Sequence, residues 1–167
     1  MPWKFTFEVE GQQQVVRSFN RVTDHISDLR AVWDYVQPEL YKIIDENFKS
    51  EGARGGSGKW KPLSPAYAKR KAKLYPGKPI LQATGRMYAA LTGVTGDSLV
   101  VKSKDEFAIG TSLEYPSYHQ RGTNRMPKRP PVDLGETQKR DVQKAVQKGL
   151  LDLIKSDPTV RSGLNFD

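Results

Sequence analysis

Apolar residues recur at three- and four-residue steps in two stretches of this chain, and those stretches set what it can fold into. The first holds Leu29, Val32, Trp33, Val36, Leu40, Ile43, Ile44 and Phe48; the second holds Val142, Ala145, Val146, Gly149, Leu150, Leu153 and Ile154. That period lays one apolar stripe along a helix, and a stripe must be covered by another element. Asp28 is placed to cap the first helix. Pro38, inside it, removes one hydrogen bond and crowds the preceding turn, so a kink or two abutting helices are expected near Gln37. The second helix runs from Glu136 until Asp157-Pro158 stops it, and 156–167 reads as a tail ordered only when something binds it.

Strand signals are fewer. Trp3, Phe5, Phe7 and Val9 alternate with Lys4, Thr6, Glu8 and Glu10, the two-residue period of a strand with one buried face. Residues 13–19 suit a second strand, and 99–102 and 107–109, joined by 103–106, read as a β-hairpin. Two short helices are expected between. One follows Ser64-Pro65 to about Leu74; the other spans 85–91, with Thr84 as its cap and Gly93 as its stop. At 167 residues one domain is expected. The fold class is α+β: an antiparallel sheet with a long N-terminal helix and a C-terminal helix, extended loops and arms. The domain spans 1–155, with a flexible basic insertion at about 52–79 that begins in the glycine-rich run 52–58.

Charge is unevenly placed. The formal net charge is +8, and between Gly52 and Gly96 there is no aspartate or glutamate. Arg54, Lys59, Lys61, Lys69, Arg70, Lys71, Lys73, Lys78 and Arg86 all lie there. Such a stretch either meets phosphate backbones or an acidic protein, or is a solvated helix face. Trp60, Tyr67 and Tyr75, interleaved with the cations, either stack on bases or belong to the core. A second basic stretch, 109–134, carries Arg121, Arg125, Lys128 and Arg129 among Pro127, Pro130 and Pro131. It is expected to be extended, poor in internal hydrogen bonds, and in need of something to lie against.

Catalytic and metal chemistry find little support. There is no cysteine, and the two histidines, His25 and His119, lack metal-ligand spacing. Neither Ser64 nor Ser117 sits in a nucleophile turn, and Asp24, Asp28 and Asp34 have no partner acids. The run 52–58 lacks the ending of a phosphate-binding loop. No enzyme activity, cofactor or metal is expected. No apolar run reaches the roughly 20 residues of a membrane span, so a cytoplasmic product without a membrane partner is expected.

Taken in order, the motifs resemble the virion morphogenesis, or tail completion, family of tailed bacteriophages, the Mu and P2 type. They are W-x-P-L-S at Trp60 to Ser64, a basic helix, and I-L-x-x-T-G-R-[LM] at Ile80 to Met87. A hairpin ending in Gly110-Thr111 comes next, then H-Q-x-G at His119 to Gly122 and P-x-R-P at Pro127 to Pro130. Lys128 and Pro131 stand where the family usually has alanine and a bulky apolar residue. The resemblance implies a structural protein of the virion neck or tail top, assembled in the bacterial host's cytoplasm. It would complete the tail and join it to the head as a homo-oligomeric ring, commonly six-fold. Its partners would be further copies of itself, the head connector and the tail tube or sheath proteins, with DNA in the channel. On that reading Trp60, Tyr115, His119, Gln120, Arg121, Pro127, Arg129 and Pro130 form the subunit or partner interface. Arg54, Lys59, Lys61, Lys69, Arg70, Lys71, Lys73, Arg125 and Lys128 meet DNA or an acidic partner. The alternative is a nucleic-acid-binding protein acting outside a virion through the basic 52–96 segment.

Overall fold

Residues 28–93 and 95–156 are described by a computed structural model. The strands expected at 3–9 and 13–19, His25, and the tail beyond 156 lie outside the described residues. Helix α1 spans Arg30–Lys49, α2 Pro65–Leu74 and α3 Arg86–Leu91. Strands β1 (Ser98–Lys102) and β2 (Phe107–Thr111) follow, then α4 (Tyr115–Arg121) and α5 (Glu136–Ser156). The class is α+β, with a long helix near each end and a two-stranded antiparallel sheet. Ser98 pairs with Thr111 and Lys102 with Phe107, with the turn at 103–106 as expected.

Helix α1 runs unbroken through Pro38, so of the kink or two abutting helices expected near Gln37 the second does not occur. Pro38 lies inside it on the exposed side. There the carbonyl that loses its N–H partner faces water, so the missing bond costs little and the helix runs on. Its first turn is also organised differently. Leu29 takes the N-cap position, and the Asp28 carboxylate accepts from the Arg30 backbone N–H at 3.1 Å and from the Arg30 guanidinium. That pairing holds the Asp28 carboxyl at about 2. Val32, Val36, Ile43, Ile44 and Phe48 fill the buried stripe.

Helix α5 lies along α1. A Cβ on Gly149 would stand 3.0 Å from Val32, tighter than ordinary packing, so the missing side chain lets the two backbones approach. Tyr35 donates to Asp152 at 2.8 Å, and the Lys148 ammonium sits 5.5 Å from the Tyr35 ring centre. At the other end, buried Asn47 donates to the Asp133 carbonyl at 2.6 Å and accepts from Gln138 at 3.3 Å. A polar chain therefore fixes where α5 begins, and every buried amide in it has a partner.

The central core is Ile44, Phe48, Trp60, Met87 and Leu91, with Ile80, Leu81, Tyr88, Ile109 and Val132 packed on it. Phe48 meets Trp60 and Tyr88 edge-on at 5.6 and 5.3 Å between ring centres. Each such side chain contributes on the order of 1.5–3 kcal/mol on burial. The hairpin is pinned at its turn: Trp33 donates to the Ser103 carbonyl at 2.8 Å and stacks on Phe107. The Leu29 N–H donates to the Lys104 carbonyl at 2.6 Å.

The 52–58 run, expected to be a flexible linker, forms a series of hydrogen-bonded turns. Gly52 N–H bonds the Asn47 carbonyl at 2.8 Å, and Ser57 N–H bonds the Asp133 carboxylate at 2.6 Å. Gly52 has φ +83°, and Trp60 packs so closely on it that no Cβ fits. Its glycines serve close approach as well as turning. The 109–134 stretch, expected to be extended, contains α4, because Pro116 sits at the start of a helix where its missing N–H would be unsatisfied anyway.

Candidate functional site

The two basic stretches, far apart in sequence, form the walls of one groove of about 580 Å³. Helix α2 and the residues leading into it supply one wall through Leu63, Tyr67 and Lys71. Tyr115 and His119 of α4 and the segment Arg125 to Pro127 supply the other. Leu81 and Met87 lie between. Leu81 has φ +63°, a conformation that costs an apolar residue about 1–3 kcal/mol and gathers at ligand-handling sites.

How the walls are built corrects part of the expected contact set. Arg129, expected to meet a partner, is only 5 % exposed and donates to the Lys61 and Pro62 carbonyls at 2.7 and 2.8 Å. Lys71 is 6 % exposed and donates to the Lys78 and Pro79 carbonyls. Burial pushes both cations below their ordinary pKa values. These carbonyls lie in proline-rich backbone with few N–H donors of its own, so a cationic side chain satisfies them. Arg129 and Lys71 hold the fold and are not free to reach outward.

The same holds for part of the expected interface. Trp60 is in the core and donates to the Pro130 carbonyl at 3.0 Å. Gln120 bonds Val132 in both directions, donating to its carbonyl at 2.7 Å and accepting from its N–H at 3.2 Å. Pro130 and Pro131 are buried, so the closing segment anchors on the chain's own body despite Pro131 standing for a bulkier apolar residue. The extended arm expected to reach a neighbour lies against its own domain, because these carbonyls and prolines find partners there.

The outward-facing set is smaller. Tyr115, Arg121, Arg54, Lys59, Lys61, Lys69, Arg70, Lys73, Arg125 and Lys128 are exposed, and His119 and Pro127 are half-buried. Arg54 pairs with Glu46 at 3.0 Å. The other ion pairs among the described residues join Asp28, Asp34, Glu39, Asp45, Asp97, Glu136 and Asp141 to cations elsewhere. None includes the cations of α2 or of 121–128. His119 Nδ1 is buried with no hydrogen-bond partner among the described residues, and burial, then the nearby Arg129, push its pKa down, so the ring is neutral at pH 7. Sequence reasoning missed the groove's apolar lining at Leu81, Met87 and Met126. Its only advance signal was the shared lack of acids on both walls.

Among the described residues no group of histidine and acid side chains could hold a metal, and no helix is long and apolar enough to cross a membrane. No solved structure matches the chain. One curated relative, the Mu-like prophage FluMu G protein 1 of Haemophilus influenzae, is 32% identical over 152 residues, covering 90% of this chain and 96% of that protein. A model of the phage virion morphogenesis family matches residues 11–151, a span that takes in both walls of the groove and the two helices that carry them. The chain therefore belongs to the phage virion morphogenesis family.

Proposed function

We propose that the chain is a structural protein of the neck or tail top of a tailed phage, with no catalytic step of its own. It completes the tail and joins it to the head as a ring of identical copies, commonly six-fold. The observation that carries this reading is the family match across residues 11–151. The structure adds a physical argument. Helix α2 has ten residues, and only Lys71 of it is buried. A helix that short is marginal in water by itself, and its exposed cations and Tyr67 suit a surface completed by another subunit. Ring closure needs two different patches to meet between neighbours. The head connector, the tail tube or sheath proteins and channel DNA are the surfaces that a ring at that position faces.

Deleting the gene from its phage tests the reading. Filled heads and separate tails are the expected outcome, with the protein recovered by mass spectrometry from wild-type particles. Normal virions from the deletion would overturn it.

A second reading draws on the cations of α2, which pair with no described carboxylate. It makes the protein a nucleic-acid binder outside the particle, with Lys59, Lys61, Lys69, Arg70 and Lys73 on phosphates. That predicts DNA affinity falling steeply with salt; undetectable binding at low salt removes it.

A further inference from the structure

We propose that the groove between α2 and the 125–127 segment docks an extended acidic peptide of a partner protein, carrying at least one bulky apolar side chain. The inference rests on reading the chain as an assembly protein, which is what requires a protein partner.

Three features lead there. The groove carries a run of apolar side chains, Leu63, Leu81, Met87 and Met126, beside the hydroxyls of Ser64 and Thr84. Those apolar side chains offer no donors to a phosphate backbone, but they accept a Leu- or Phe-sized side chain. The exposed cations beside the groove pair with no described carboxylate. Arg125 lines the groove, and Arg70, which does not line it, lies about 60° from Tyr67 and about 100° from Lys71 round α2, nearer the groove than Lys69 and Lys73. Buried Lys71 and Arg129 add positive charge beneath the surface. Third, His119 lines the groove through its ring, whose Nδ1 is buried and finds no partner among the described residues. Apolar floor and basic rims together fit alternating acidic and apolar side chains. A phosphodiester strand would use the rims and leave the floor uncovered.

Geometry separates this from general attraction to a basic helix. The probe is a fluorescein-labelled peptide of alternating glutamate and leucine, titrated against the full chain and followed by anisotropy. Two control peptides replace glutamate by glutamine or leucine by serine. The expected result is binding of the first peptide and at least tenfold weaker binding of both controls. R70E/R125E should lose at least tenfold, whereas K69E/K73E, with the same change in net charge, should stay within about threefold. All four side chains are exposed and pair with no described carboxylate, so both variants should keep the wild-type melting temperature. A83W, which fills the groove, should block the peptide without changing charge.

Equal losses in the two charge-reversal pairs would overturn the proposal, as would equal affinity for the serine control or no binding at low salt. Tighter binding of a single-stranded oligonucleotide that R70E/R125E abolishes would assign the groove to nucleic acid instead. Complementation separates the two proposals. Normal virions from the gene deletion sink the assembly reading and leave the peptide result standing. If deletion blocks assembly and the R70E/R125E protein restores it fully, the groove proposal alone fails.

Discussion

Helices α1 and α5 pack against each other, while α2 makes no extensive contact with any other described helix or strand. The first pair is held by an apolar stripe, a glycine that permits close approach, and polar links at both ends. Helix α2 is tethered by one buried lysine and by the arginine that grips the residues just before it. Charge follows the same division. Most paired acids on α1 and α5 meet cations on their own helices, as Asp45 does with Lys49 at 2.6 Å and Glu136 with Lys139 at 2.7 Å, and Asp34 and Glu46 reach Lys102 and Arg54, whereas the exposed cations of α2 pair with no described acid. One region is complete within the monomer, and the other is built to be completed from outside.

The most damaging way to break this contrast is to remove the tryptophan on which both regions rest. Trp60→Ala should cost about 3–5 kcal/mol and lower the melting temperature by roughly ten degrees or more, read by calorimetry. Trp60→Phe should lose less, because it keeps most of the packing and gives up the bond to Pro130. Next comes the helix pair. Gly149→Val forces Val32 and Tyr35 apart and should cost about 1–3 kcal/mol, measured by urea unfolding; Ala72→Val on exposed α2 should stay within about 0.7 kcal/mol.

A smaller and more local effect is expected at the tether. Lys71→Met leaves the Lys78 and Pro79 carbonyls unsatisfied, at a cost of about 1–3 kcal/mol felt mainly by α2. Hydrogen exchange should then lose protection over 65–75 while α1 and α5 keep theirs; loss spread over the whole domain would show that α2 is integral to the core. The smallest effect is a pH dependence. His119 has its folded pKa pushed below the usual histidine value. Between those two values the unfolded chain binds the extra proton. Stability should therefore fall as pH drops through about 6.5 and level off below the folded value. His119→Gln should flatten that slope, and an unchanged slope would place its origin elsewhere.

Much of this architecture was legible beforehand, for reasons that differ by element. The bounds of α2 followed from Ser64-Pro65, although the Ser64 hydroxyl caps nothing and only the backbone position is used. The hairpin came from its alternation. Pro38 left open whether α1 would divide, because a proline's effect depends on which side of the helix it falls, and that is settled by packing. Helix α4 was hidden by its aromatic residues and proline, which read equally well as loop. The two buried cations were read as surface charge because their partners are backbone carbonyls, which leave no mark in a sequence. The nearest warning was the prolines at 62, 79 and 130, since donor-poor backbone must borrow donors from somewhere. The juxtaposition of the two basic stretches depended on the whole domain closing, beyond the reach of local pattern.

The clasp in which Trp60 holds the Pro130 carbonyl and Arg129 holds those of Lys61 and Pro62 has a consequence for anyone recombining this protein with its relatives. Residues 60–64 and 127–131 form a lock and its key. A hybrid that inherits one from each parent should misassemble even where both parents fold, whereas transplanting the two together should carry the junction intact.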